Sequence, residues 1–366
     1  MVIDWSDGNK SSLYSLWLRD HCQMPESRNL DNGQRLFSVK DLPSNITIEK
    51  AYKDAEGNVC VMFQPENHLS VFSQKWLREN CYELNSHFED RSEKSKKLWK
   101  KDSFDNVLPF ISYDLMHSED TSKVLALRSL REYGFFVLND VPTQDGQVLK
   151  VISELGFTRE TNYGALFEVR TEVNPTNLAF TNLGLGSHTD NPYRDPVPTV
   201  QLLHCLESST EGGESILVDG FKAASILREE SEESFLSLAN TWINYRFSDS
   251  KTELRSRVPM IELNDKKEVI KVRYNNRSID TINVPQDKMR SFYKAYRHWS
   301  EVIERDELKI QFKLSEGDLM LFDNTRVMHA RTEFSKSGKR HLQGAYSDLD
   351  GLYSLLNRLE MKNNND

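Results

Sequence analysis

The segment GSHTDNPYRDPVPTVQLLHC, residues 186–205, constrains this chain more than any other stretch. His188 and Asp190 stand two residues apart, and in an extended strand residues i and i+2 project to the same face. Pro192, Pro196 and Pro198 then turn the chain into an apolar run that begins near Val200. An isolated H-x-D has an ordinary reading, with His188 in a turn and Asp190 as a cap before Pro192. It gains meaning from LMLFDNTRVMHARTEF, which places His329 just after a second apolar strand. Two histidines and one carboxylate occupy one face of an octahedral metal and leave its other positions open. That donor set suits Fe(II) sites that activate O₂, with Zn²⁺ carrying a bound water as the rival. The fold must therefore bring two distant apolar strands together.

The rest of the chain supplies strands for such a fold. NVCVMFQ reads as a strand and SVFSQKWLREN as a short amphipathic helix, so residues 1–85 form a small β-rich unit. Residues 86–105, rich in lysine with interleaved acids, read as a solvated linker. Residues 106–366 form the second domain. There the helix SKVLALRSLREYG precedes the strand FFVLNDV, and QDGQVLKVISELG gives another helix. The strands TVQLLHCL and ILVDG lead into one long amphipathic helix over 221–240. EVIKVRYNN reads as a strand and PQDKMRSFYKAYRHWSEVIER as a helix with Pro285 near its start. IQFKLSEGDLMLFDN reads as strand, turn, strand. The pattern predicts a mainly β protein with flanking helices, a jelly roll or β-sandwich. His204, inside VQLLHCL, reads as a core histidine.

Composition removes several function classes. A chain of 366 residues with net charge −9 lacks the basic surface of a nucleic-acid binder. No apolar run approaches the roughly 20 residues of a membrane helix, and the N-terminus has no secretory pattern. The 4 cysteines, unevenly spaced, fit free thiols in a reducing compartment. The expectation is a cytoplasmic protein acting on a small molecule, with neither nucleic acid nor membrane as partner.

Ordered matches along nearly the whole chain then point to a family. LWLRDHC, NPTNLAFTN, HTDNPY, VQLLHCLESSTEGGESILVDGF, VRYNN, FDNTRVMHAR and RHLQGAYSD together resemble the γ-butyrobetaine/trimethyllysine hydroxylase branch of the Fe(II)/2-oxoglutarate dioxygenases. The resemblance implies a double-stranded β-helix, with Fe(II) on His188, Asp190 and His329. It implies 2-oxoglutarate with its far carboxylate on Arg340 and Leu203 nearby. A guanidinium fork matches a carboxylate in bidentate fashion. The implied reaction couples oxidative decarboxylation of 2-oxoglutarate by O₂ to hydroxylation of a substrate, with ascorbate as an activator. A homodimer is also implied.

The resemblance maps an aromatic cage for a trimethylammonium group onto Tyr163, Phe167, Phe180 and Tyr346, which suits cation–π attraction. It maps polar contacts to the substrate's anionic end onto Asn177 and Asn276. Tyr193 and Arg277 are additions that fit an anion with more charge and more acceptor oxygens. They tilt the expectation toward (2-trimethylammonio)ethylphosphonate, hydroxylated at the carbon next to phosphorus. γ-Butyrobetaine, giving carnitine, is the alternative and trimethyllysine a third. The N-terminal unit departs from its relatives' zinc site. Cys22 and His68 match ligand positions, but Met24 and Ser27 replace two thiolates, so loss of the zinc is expected. Cys60 and Cys81 are the remaining thiols near enough in sequence to be considered as replacements.

Overall fold

The computed structural model describes residues 1–84, 95–104, 107–170, 183–335 and 338–363. It divides into two compact units, Met1–Lys94 and Ser95–Asp366. In the first, strands β1 (Val2–Asp4) and β2 (Lys10–Ser12) form a hairpin, followed by helix α1 (Ser15–Asp20). Strands β3 (Thr47–Lys53), β4 (Val59–Gln64) and β5 (His68–Phe72) form an antiparallel sheet. Period-two alternation in β4 points Val61 and Phe63 into a core with Leu18, Phe72 and Leu77. Helix α2 (Gln74–Asn80) begins at Ser73, whose Oγ accepts from Trp76 N at 3.1 Å.

The second unit is built on two sheets. Strands β6 (Phe110–Ser112), β7 (Phe135–Asn139), β8 (Phe167–Arg170), β10 (Val200–Ser208), β17 (Leu319–Asp323) and β19 (Arg340–Ser347) form the larger, in the order β6-β7-β17-β10-β19-β8. Only β6 and β7 run parallel within it. Strands β9 (Leu185–His188), β11 (Ser215–Asp219), β16 (Ile310–Phe312) and β18 (Val327–Arg331) form the smaller, in the order β16-β11-β18-β9. Phe135, Val137, Cys205, Met320 and Phe322 of the larger sheet pack against Leu217, Ile310 and Val327 of the smaller. The other face of the larger sheet, including Phe136, Leu138, Val200, Leu202 and Leu321, is covered by helices α3 (Tyr113–Ser118), α4 (Asp120–Tyr133), α5 (Gln147–Leu155) and α9 (Leu349–Asn363). The architecture is a jelly roll with flanking helices, as the strand pattern predicts.

An insertion between β11 and β16 covers the outer face of the smaller sheet. It contains helices α6 (Gly220–Glu230), α7 (Glu232–Asn240) and α8 (Gln286–Ile303). It also contains the hairpins β12 (Ile243–Ser248) with β13 (Glu253–Val258) and β14 (Ile261–Leu263) with β15 (Val269–Val272). Its core meets the sheet at Val218 and Met328.

Three sequence expectations need correction. The helix expected over 221–240 is broken at Ser231, whose extended backbone (φ −160°, ψ 96°) lets its Oγ cap α7 by accepting from Ser234 N. EVIKVRYNN is a strand only to Val272, after which Asn275 caps a 3₁₀ turn over Asn276–Ser278. The second unit begins at Ser95, not after residue 105. Trp99 is buried, and its indole N–H donates to Tyr133 O at 2.7 Å. One large apolar side chain outweighs the lysines around it.

Trp99 also marks the buried polar knot of this unit. Arg326, in the β17–β18 turn, and Asp219, at the end of β11, form an ion pair whose side chains are 1% and 0% exposed. Arg326 Nε and Nη2 donate to the carboxylate at 3.2 and 2.9 Å, and its remaining donors reach Glu132 O and Lys97 O at 2.8 and 2.6 Å. Asp219 in turn accepts from Trp99 N at 3.1 Å and caps α6 through Phe221 N at 3.0 Å. With its lone pairs and protons satisfied, the pair is tolerated in the interior, and removing one partner strands the other charge. Arg326→Met is expected to cost about 3–5 kcal/mol in denaturant unfolding, with Arg326→Met/Asp219→Asn costing less than the sum of the single changes.

His204 is fully buried on β10, and among the described residues neither ring nitrogen has a hydrogen-bond partner of good geometry. Burial pushes it down to about 4, with the Val141 backbone offsetting only part. The unfolded chain takes up this proton at about pH 6.5 and the folded chain does not, so stability is complete above that value and falls as pH drops toward 4. His204→Leu is expected to lose less stability than the native chain between pH 7 and about 4, read from urea midpoints.

Candidate active site

Strand β9 ends on His188, whose Cα pairs with that of His329 in β18. The imidazole centroids lie 4.2 Å apart. Past β9 the chain turns sharply, with Asn191 at a φ of 53°. Asp190 is fixed from the β17–β18 turn. Asn324 Oδ1 accepts from Asp190 N at 2.7 Å, and Asn324 Nδ2 donates to Asp190 O at 3.0 Å. Asp190 Oδ1 then lies 3.5 Å from His188 Nε2 and 4.0 Å from His329 Nε2. One donor atom from each of the three lies within 4.8 Å of the others, the one such cluster among the described residues.

The donors fit a metal. His188 Nδ1 donates to Gly186 O at 2.9 Å, which turns Nε2 toward the triad. Burial, then the neighbouring His188, pushes His329 down to about 3 despite Asp190, so its imidazole is neutral, the ligating form. Burial raises the Asp190 carboxyl, but the hydrogen bond to His188, the nearby His329 and Tyr346 outweigh it and hold it well below the usual carboxylate range. Two imidazoles and one carboxylate on one face, with space beyond, match a facial triad.

That space is a cavity of about 410 Å³. Leu203 and Arg340 line it, and a Cβ at Gly213 would stand 3.1 Å from Arg340 Cδ and Nε, so the glycine makes room for the arginine stem. Burial lowers Arg340. Arg331, two residues past His329 on the same strand face, also lines the cavity and is pushed down to about 10 by burial and by Arg340. Sequence reasoning missed Arg331, although the period of two from His329 signals it.

Tyr163, Phe167 and Tyr346 form one aromatic wall, with Phe167 stacked on Tyr346 at 5.0 Å and 6.3 Å from Tyr163. A Cβ at Gly344, directly opposite Phe167 in the β19–β8 register, would collide with the Phe167 ring. Phe247 of β12 completes this wall, 5.9 Å from Tyr163 and 5.1 Å from Tyr193. Nothing in the local sequence of β12 marks Phe247, because the insertion delivers it from outside the jelly roll. Phe180 and Asn177 lie outside the described residues.

The residues expected at the substrate's anionic end behave differently from one another. Arg277 reaches the cavity from its rim; its side chain is solvent-exposed, yet the surrounding protein lowers its pKa through desolvation. Asn276 does not line the cavity. It accepts a hydrogen bond from Tyr296 in a neighbouring depression, and Asn275 lines the cavity in its place. Tyr193 lines the cavity, but its hydroxyl donates to Asn191 Oδ1 at 2.9 Å and is paired with the Tyr163 hydroxyl at 3.0 Å. Its single proton is already committed.

In the N-terminal unit, Cys22 Sγ lies 3.3 Å from His68 Nε2. Ser27 Oγ accepts from Arg19 Nη1 at 3.3 Å, and Arg19 forks onto Glu66 at 3.0 and 3.2 Å. Met24 contributes its backbone N–H to Cys22 Sγ at 3.4 Å.

With this geometry in place, residues 106–346 match the model of the taurine catabolism dioxygenase TauD, TfdA family, and residues 1–78 match that of the γ-butyrobetaine hydroxylase-like N-terminal domain. The chain belongs to the TauD, TfdA dioxygenase family. It is 32% identical to a γ-butyrobetaine dioxygenase of Pseudomonas sp. (strain AK-1), over 96% of this chain and 91% of the relative. It is 30% identical to the γ-butyrobetaine dioxygenase of Homo sapiens, over 99% and 95%. A trimethyllysine dioxygenase of Meyerozyma guilliermondii is 27% identical, over 98% and 93%. Among solved structures, an α-ketoglutarate-dependent taurine dioxygenase from Burkholderia xenovorans shares the fold at a TM-score of 0.51 and 14% identity, covering 66% of this chain and 90% of that one. The chain is an enzyme of the dioxygenase class in the γ-butyrobetaine/trimethyllysine branch. Among the described residues no helix is long and apolar enough to cross a membrane.

Proposed function

We propose that this enzyme is an iron(II)- and 2-oxoglutarate-dependent hydroxylase of a small trimethylammonium compound, with γ-butyrobetaine as the substrate and carnitine as the product. The observation that carries the proposal is the aromatic wall of Tyr163, Phe167, Phe247 and Tyr346 in the same cavity as the His188–Asp190–His329 triad. A trimethylammonium group has no N–H to donate, and ring faces attract it through their quadrupoles. His188 Nε2, His329 Nε2 and Asp190 Oδ1 would hold the iron. Iron held there supplies O₂-dependent decarboxylation of 2-oxoglutarate and transfer of one oxygen atom to the substrate. Arg340 would hold the distal carboxylate of 2-oxoglutarate in bidentate fashion, with Leu203 against its chain. The aromatic wall would fix the cationic end, and Arg277 at the rim would take the anionic end, so the carbon between them faces the triad.

The two relatives at 32% and 30% identity, both named γ-butyrobetaine dioxygenases, favour the carboxylate substrate. A specific observation keeps (2-trimethylammonio)ethylphosphonate as a second reading: Arg277 does reach the cavity, and a guanidinium suits three phosphonate oxygens. The committed hydroxyl of Tyr193 weakens that reading. Trimethyllysine fits less well, because its α-ammonium would enter a cavity lined by Arg277, Arg331 and Arg340, where Asp190 is the one lining carboxylate among the described residues.

Anaerobically prepared protein given Fe(II), 2-oxoglutarate, ascorbate and then air is expected to add one oxygen to γ-butyrobetaine, as read by mass spectrometry with succinate release. Arg277→Ala is expected to raise KM roughly tenfold with a smaller change in kcat. Oxygen added only to the phosphonate would reassign Arg277 to phosphonate recognition, and oxygen added to none of the three compounds contradicts the proposal. For the N-terminal unit we propose that the Arg19–Glu66–Ser27 network takes the cross-linking role that zinc has in relatives. Elemental analysis of the chain is expected to find no stoichiometric zinc.

A further inference from the structure

Tyr346 belongs to the aromatic wall by its ring, but its hydroxyl points elsewhere. Tyr346 Oη donates to Asp190 Oδ2 at 2.8 Å, while Asp190 Oδ1 is the oxygen nearest both histidine Nε2 atoms. The side chain has little freedom to leave this bond. It is 3% exposed, its Cα pairs with Gln201 in the centre of the larger sheet, and Phe167 stacks on it at an interplanar angle of 27°. The Asp190 backbone is held separately by Asn324, so Tyr346 acts on the carboxylate alone.

A free carboxylate has two equivalent oxygens and rotates about its last torsion. Tying one oxygen to a hydroxyl stops that rotation and leaves a single oxygen for an ion, so a two-histidine face stays three-coordinate with open positions opposite. Groups that orient ligands in this way are worth about 10–100-fold in metal affinity.

We propose that Tyr346 is a positioning residue for the metal site: its hydroxyl sets Asp190 to bind through Oδ1 alone, and its ring makes the same residue a wall of the substrate cavity. One side chain thus couples the place where the cationic group docks to the geometry of the metal ligand. The inference rests on the reading of His188, Asp190 and His329 as metal ligands.

The test is a titration of the purified full chain with Co(II) alone, followed by its visible d–d absorption, without substrate or 2-oxoglutarate. Tyr346→Phe keeps the ring and removes the hydroxyl, and it is expected to weaken Co(II) binding about tenfold and to change the absorption bands. Wild-type affinity and an unchanged spectrum in Tyr346→Phe overturn the inference. Tyr346→Gln keeps a donor without a ring and serves if the Phe variant does not fold. Co(II) binding closer to native than in Tyr346→Leu supports the role, and equal loss in both overturns it. His188→Ala separates the two levels. If it still binds Co(II) with native affinity, the ligand assignment fails. If it loses binding while Tyr346→Phe does not, only the role of Tyr346 fails.

Discussion

The buried pair of Arg326 and Asp219 is the constraint on which the catalytic unit depends. It fastens the β17–β18 turn to the end of β11 and to the segment that carries Trp99. The site grows from the same turn. Asn324 precedes Thr325 and Arg326 and grips the backbone of Asp190. Three residues beyond Arg326, His329 faces the cavity, and the β18–β9 register sets His188 beside it. One three-residue corner, Asn324 to Arg326, therefore helps position all three donors, although they come from segments far apart in sequence. A facial donor set needs placement within a fraction of an ångström, and fixing a turn with a fully satisfied buried ion pair is one way to obtain it.

The electrostatics of the cavity follow from its placement between two sheets. Burial lowers His329, and the hydrogen bonds from His188 and Tyr346 hold the Asp190 carboxyl low despite burial. Arg277, Arg331 and Arg340 bring positive charge to a space whose one lining carboxylate among the described residues is committed to the donor cluster. A site so charged favours anions, as the proposed dicarboxylate cosubstrate and the anionic end of the proposed zwitterionic substrate require. The cationic end is left to ring faces, which attract it without adding a charge of their own.

Much of this was legible in the sequence, and what was not has physical reasons. The late His329 after an apolar strand meets His188 through the β18–β9 register, as strand geometry dictates, whereas Asp190 lies past the end of β9 and is placed by Asn324 and not by a strand period of two. Arg340 and all four cage positions came from the resemblance, and the structure sets three of them, Tyr163, Phe167 and Tyr346, around the cavity, while Phe180 lies outside the described residues. Asn276 was off by one residue. The chain leaves strand geometry at Val272 and enters a 3₁₀ turn, where period-two reasoning no longer holds and Asn275 takes the inward position. Phe247 was invisible because the insertion brings it in from outside the jelly roll. Trp99 and the Ser231 break were misread for a related reason: composition averages over a window, whereas one buried indole or one capping hydroxyl decides locally. The hydroxyl bond from Tyr346 to Asp190 has no local sequence signature, since aromatic residues read first as core or cage.

The central claim is that the triad and the aromatic wall serve one reaction, in which a trimethylammonium substrate is hydroxylated as 2-oxoglutarate is decarboxylated. Turnover of γ-butyrobetaine under ¹⁸O₂ tests it most directly. The account predicts that the hydroxylated product and the succinate each carry one ¹⁸O, in equal amounts, and that His188→Ala yields neither. Product oxygen drawn from water, or labelled succinate at the same rate with and without the substrate, would contradict it.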